Sequence, residues 1–260
     1  MQARVMLDSL WIQLNKLGSP PHFWNWSAPL VRWFIALALL LLAIGLYGGL
    51  VLAPADYLQG ESFRIIYIHV PSAWMSLLIF VFMAFQGACA LIWRIKLCEI
   101  FCVCSAPIGA AFTAVTLLTG MLWGRPTWGT YWTWDARLTS ELVLLFLYLG
   151  IIALNQSYSD RRAAARACAV LALIGVVNVP IIHYSVIWWN TLHQGETVRL
   201  FGKSSMHFSM LWPLLVVAVA SKFYFIAALL LRARTQLLEQ ERSKEWVRSA
   251  LGILKPGAEA

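Results

Sequence analysis

Apolar positions in this chain come in long uninterrupted blocks, with polar and charged residues confined to the breaks between them. A helix needs about 20 mostly apolar residues to cross the hydrocarbon core of a bilayer. Six blocks reach that length: residues 33–53, 65–93, 100–123, 139–158, 167–187 and 206–231. Each predicts a helix, because an isolated strand leaves its backbone polar groups unpaired in lipid. The fold class is therefore an all-α integral membrane protein of six spans. Its membrane domain covers residues 33–231, between an N-terminal segment 1–32 and a tail 232–260.

Composition agrees with the pattern. The 260 residues are 60% hydrophobic and 12% charged, with a mean hydropathy of +0.70. Ordinary globular chains are about 45 to 50% apolar and about 25% charged. A soluble domain, a disordered chain and a disulfide-rich secreted scaffold are all excluded.

The net charge of +8 suggests nucleic acid until the bases are placed by side. The connections 94–99 and 159–166 and both terminal segments hold 14 Lys and Arg, against 5 in the connections 54–64, 124–138 and 188–205. By the positive-inside rule both termini are expected in the cytoplasm and the basic-poor connections in the periplasm. Small residues at Ala53-Pro54-Ala55 follow the first span as at a leader cleavage site, but the apolar run is longer than a signal core, which predicts a retained span. In the tail, Leu237, Leu238, Trp246, Val247 and Leu251 among bases suit a surface-lying or a solvated helix.

Cys89, Cys98, Cys102, Cys104 and Cys168 all fall on or near the cytoplasmic half. No periplasmic disulfide is expected. Cys102 and Cys104 read as small buried hydrophobes, with a soft-metal pair as the alternative. The absence of a C-x-x-C-H motif argues against covalent haem attachment to the chain.

Unusual residues gather on the periplasmic side. Residues 123–135 contain Trp123, Trp128, Trp132, Trp134 and Tyr131, interleaved with Gly124, Pro126 and Gly129. One or two Trp would read as an interfacial belt. Four with turn-forming glycines suggest a shaped apolar platform in the loop 123–138, suited to a flat amphipathic ligand such as porphyrin. Imidazole is a common axial ligand of haem iron, so the histidines come next. His69 lies at the mouth of the second span before Pro71, and His193 in the connection after the fifth span. As a pair flanking the Trp-rich segment they are the candidate ligands, with His183 as runner-up or as a histidine bonded within the bundle, for instance to Asn178. His22, in a Pro-Pro-His turn, reads as a solvated cytoplasmic side chain, and His207, at the opening of the sixth span, as structural.

Haem propionates would need cations at the water boundary. Arg64, Arg125 and Arg137 are placed there, where they could equally snorkel or pair with Asp135 or Glu141. Asp135 and Glu141 also suit the start of the fourth helix, as N-cap and dipole partner.

The stretch from Trp123 to Glu141, WGRPTWGTYWTWDARLTSE, resembles the tryptophan-rich WWD signature of the haem-handling proteins of cytochrome c assembly. Six spans and short loops resemble its cytochrome c maturation protein C branch, as do Ala53-Pro-Ala-Asp-Tyr57, Arg64 to Pro71, Asn178 to Ser185 and Trp188 to Gly195. The resemblance implies non-covalent b-type haem as cargo on the periplasmic face of the inner membrane, held by His69 and His193 beside the WWD loop. It implies delivery to a periplasmic haem chaperone, cytochrome c maturation protein E. It also implies work beside an ATP-binding cassette ATPase, a second membrane subunit and a small single-span subunit (cytochrome c maturation proteins A, B and D). The chain has no GxxxxGK[ST] phosphate loop, so ATP hydrolysis would belong to a partner and no catalytic residue is expected here.

Two other classes fit the same residues. A membrane b-type redox cytochrome would also pair histidines, but usually on facing helices within a bundle. A permease subunit would account for six spans and for Lys222 inside the sixth, a residue that would otherwise meet a partner subunit or a polar cavity.

Overall fold

The computed structural model describes residues 19–193, 198 and 204–253. Residues 1–18 of the N-terminal segment, most of the connection between His193 and Ser204, and residues 254–260 of the tail lie outside the described residues. All six predicted spans are present as helices long and apolar enough to cross a membrane. The described residues contain no strand beyond a single bridge between Asp56 and Gly60.

Helix α1 (Pro20–Tyr47) starts earlier than its apolar core suggests, because Pro20 and Pro21 occupy its first turn, where a missing N–H costs nothing. It ends in a π-helical turn, Gly48–Leu52. A 3₁₀ turn, Glu61–Ile65, leads into α2 (Ile66–Trp93). Arg94, in the left-handed region at φ 57°, reverses the chain into α3 (Lys96–Trp128). The fourth span is α4 (Ala136–Ser157), capped by Asp135, whose side chain accepts from the Leu138 N–H. Such a cap is worth about 0.5–2 kcal/mol.

The fifth span is broken into α5 (Arg161–Gly175) and α6 (Asn178–Trp188). Pro180 explains the break: it has no N–H for the Val176 carbonyl, and its ring clashes with that carbonyl. The Val179 N–H takes the Val176 carbonyl instead, at 3.0 Å. The sixth span is α7 (Phe208–Gln240), followed by the short α8 (Glu245–Ala250).

Helix α2 packs most extensively on α3, and α1 on α7. Phe80, Met83, Ile100, Leu144 and Tyr148 are buried in the main core. A polar thread crosses it: Ser76 donates to Glu141 at 2.8 Å and Tyr148 donates to the Ser76 carbonyl at 2.7 Å. Glu141 is therefore an internal hydrogen-bonding group rather than a free dipole partner.

A smaller cluster of Ala53, Ile66, Tyr67 and Leu214 sits beneath the tryptophan-rich end. Gly48 and Gly49 permit it, since a Cβ on either would fall 2.3 Å from Trp212 or 2.5 Å from the Tyr67 ring. At the opposite end the guanidinium of Arg234 lies 3.6 Å from the centre of the Trp24 ring and donates to Ser27. The described part of the tail is partly packed and partly exposed, with Leu251 and Ile253 on its exposed side. Leu237 and Val247 are buried, and the Trp246 indole donates to Glu241 at 2.6 Å.

Candidate functional site

The connections 53–60 and 129–135 and the described residues 189–193 after α6 converge at one end of the bundle. Half of the expected Trp-rich loop is helical. Helix α3 runs on through Trp128 and stops at Gly129, whose φ of 79° gives a left-handed cap. Trp123 and Trp128 are therefore held on a rigid element, while Trp132 and Trp134 lie on the following turn.

The four indoles do not form one flat platform. Trp123 stands edge-on to His69 at 5.6 Å and to Phe63 at 6.0 Å, and its Nε1 donates to Gln59 at 2.7 Å. Trp128 stands edge-on to His193 at 4.8 Å. Trp132 and Trp134 form a T-shaped pair at 5.3 Å, and Trp134 is 76% exposed. Each histidine thus has an indole wall of its own, and a third aromatic pair lies at the rim.

His69 sits in the first turns of α2 and presents Nδ1 to the Thr119 hydroxyl at 3.0 Å. That hydroxyl donates to the Val115 carbonyl at 2.6 Å, so toward His69 it acts as an acceptor. The proton is thereby assigned to Nδ1, which leaves the Nε2 lone pair available. Gly120 makes room: a Cβ there would lie 3.1 Å from His69 Cε1.

His193 presents Nδ1 to Asp135 Oδ2 at 3.6 Å, within ion-pair range but longer than a hydrogen bond. The same carboxylate caps α4 and accepts from the Leu192 N–H at 3.4 Å, so it ties the two connections together. Burial pushes the Asp135 carboxyl up, but His193 and the backbone N–H groups of Leu138 and Leu192 outweigh it and hold the group below the ordinary carboxylate range. His69 packs on Trp123 and His193 on Trp128, and the two tryptophans lie within about a turn and a half of each other at the end of α3, which brings the two imidazoles to one region.

The arginines are engaged. Arg64 pairs with Glu61 and donates to the Gly49 carbonyl at 2.8 Å. Arg125 donates to the Gly129 carbonyl and lies over the Tyr131 ring. Arg137 interacts electrostatically with Glu141 as well as His69. His183 is exposed on α6 against Tyr184, at 4.7 Å, and the Asn178 amide donates to the Ser140 carbonyl.

Beside Asp135 opens a concavity of about 450 Å³ lined by Thr133, Trp134, Asn190, Thr191 and Leu192. His193 Nδ1, Trp132 Nε1 and Thr133 Oγ1 are buried without a hydrogen-bond partner at this end. Trp134 and Asp135 line this hollow together with Thr133, whose hydroxyl is one of the orphaned groups, whereas His69 and His193 are not among its lining residues, so it lies beside the two imidazoles rather than around them. The cysteines are all free, and no His, Cys, Asp and Glu group among the described residues could hold a bare metal ion. Sequence reasoning missed Thr119, Gly120 and Gln59. Their only signal is helical spacing to Trp123 and the pairing of two elements.

Residues 13–248 match the family described as Heme exporter protein C. The chain belongs to that family. A protein named Heme exporter protein C from Haemophilus influenzae is 44% identical over 246 residues, covering 95% of this chain and all of the relative. One of the same name from Escherichia coli K12 is 45% identical over 253 residues, covering 95% and 99% of the two chains. A third, from Bradyrhizobium diazoefficiens, is 48% identical over 227 residues, 87% of this chain and 86% of its own. The heme exporter protein C family match embraces every span and the whole tryptophan-rich segment.

Proposed function

We propose that this multi-pass membrane protein binds haem as cargo at its tryptophan-rich end and passes it on, without catalysing a reaction. The observation that carries the reading is the placement of His69 and His193 on separate elements around one region. Each has Nδ1 turned toward a protein oxygen and its own indole wall. Outer partners of this kind orient metal-bound histidines and raise their basicity.

In this reading His69 and His193 hold haem iron through Nε2. Trp123 and Trp128 fix the imidazole planes, and Trp132 and Trp134 cover the macrocycle. Asp135 orients His193, and the propionates meet Arg64, Arg125 or Arg137, each of which exchanges a present contact for a carboxylate. The site faces the periplasm from the inner membrane, as the distribution of basic residues supports. His193 lies beyond α6 on a connection rather than inside a helix, so it is the ligand that swings away for release. Family membership supports a place beside an ATP-binding cassette ATPase, a second membrane subunit and a small single-span subunit, with a periplasmic haem chaperone as recipient.

The test is the visible spectrum of the purified chain, oxidised and reduced, beside His69→Ala, His193→Ala and His183→Ala. The haem spectrum is expected to persist in the His183 variant and to be lost or shifted in the other two. An unchanged spectrum in both of those would overturn the assignment.

A further inference from the structure

We propose that the face of α7 centred on Lys222 is a subunit interface, receiving a transmembrane helix of a different protein that carries an Asp or Glu carboxylate at mid-membrane depth. Lys222 is exposed on the lipid-facing side of the chain, next to Leu215 and Val219, each 41% exposed. No hydrogen bond or ion pair engages it among the described residues.

Its depth follows from register. Helices α1 and α7 run antiparallel, with Ser27 bonded to Arg234 at one level and Gly45 packed on Val217 at another. That register puts Lys222 level with Ala38 to Leu40, where Leu39 and Leu40 are exposed to lipid. Along the axis it lies about 21 Å from Phe208 and about 15 Å from Arg232, at a rise of 1.5 Å per residue. Neither water boundary is within reach of a four-carbon stem, so snorkelling does not resolve the charge. An ammonium facing hydrocarbon is costly and rare, and such groups pair across helices or face a polar cavity.

A second copy of this chain does not supply the partner. Among the described residues the carboxylates of the spans are Glu61, Glu99, Glu141 and Glu239. Glu141 is buried and accepts from Ser76, and the other three lie at helix ends. None is exposed at the level of Lys222. Charge complementarity therefore selects a heterologous acidic helix. The inference does not depend on how haem is held, and the spectra described above test that reading separately.

The experiment places a photoreactive benzoylphenylalanine at Leu215 or Val219 of the full chain. The chain is irradiated in native membranes with the complex co-expressed, and cross-linked peptides are sequenced by mass spectrometry. The expected adduct is on a transmembrane helix of another protein, with an Asp or Glu within one turn of the cross-linked residue. Lys222→Asp is expected to lower its yield at least ten-fold at equal chain level, Lys222→Arg to keep it within two-fold, and a Lys placed at the partner's carboxylate to restore it in the Lys222→Asp background. Adducts with lipid alone, with a second copy or with a helix lacking a carboxylate at that level would overturn the proposal, as would the absence of any adduct. So would a yield insensitive to Lys222→Asp.

Discussion

At His69 the position of one proton decides what the imidazole can do. Thr119 accepts from Nδ1 because its own hydrogen is committed to the Val115 carbonyl. Thr119→Val keeps the shape of the side chain and removes the acceptor. It is expected to loosen the tautomer and weaken haem retention about 10- to 100-fold, the usual cost of losing an outer partner of a ligand, with helicity by circular dichroism unchanged. Asp135 has two tasks that substitution separates. Asparagine still caps α4 but carries no charge toward His193. The depressed carboxyl stabilises the fold while it is ionised, so its contribution is complete at neutral pH and is lost as pH falls through the folded value, below about 3.9. The melting-temperature gap between the protein and Asp135→Asn is expected to be present at neutral pH and to close as pH falls below about 4. A gap that closes by about pH 6 would contradict this account.

Among the elements, close approach decides the architecture. A Cβ at Gly109 of α3 would stand 2.2 Å from the Tyr148 ring, and that ring's hydroxyl holds the Ser76 carbonyl beside Glu141. Gly109→Ala is expected to cost about 1–3 kcal/mol by overpacking, read as a lower thermal transition in detergent. A Cβ at Gly150, one face away on α4, meets nothing nearer than 3.8 Å, so Gly150→Ala should leave the transition in place. Apolar periodicity located all six spans but not their ends. The hydrocarbon core sets the length of the apolar block, whereas capping and packing set the length of the helix. Pro20 and Pro21 extend α1 beyond Trp33, Gly129 stops α3 only after Trp128, and Pro180 splits a block that reads as continuous.

For the whole molecule, the converging connections make one end of the bundle chemically distinct. If the basic residues orient the chain as argued, a single cysteine at Tyr131 in a cysteine-free background is labelled by an impermeant maleimide from the periplasmic side. One at Ser159 is labelled only after the membrane is opened. The reverse pattern would invert the topology and move the haem site to the cytoplasm.

Composition, block length and the Trp-rich segment were enough, without coordinates, to establish the six-helix membrane class and the family, because both are written in local runs of residue type. The same runs named His69, His193 and the tryptophans as a group, since they fall at span ends or in the connections poor in basic residues. Which atoms meet is another matter. Trp123 is paired with Gln59, Thr119 with His69, and Asp135 with the connection after α6. The arginines, legible only as cations, are spoken for by a Glu, by carbonyls and by a ring. These partners lie far apart in sequence or on faces set by helix rotation. Only the packing of six helices against one another brings them within 3 to 6 Å.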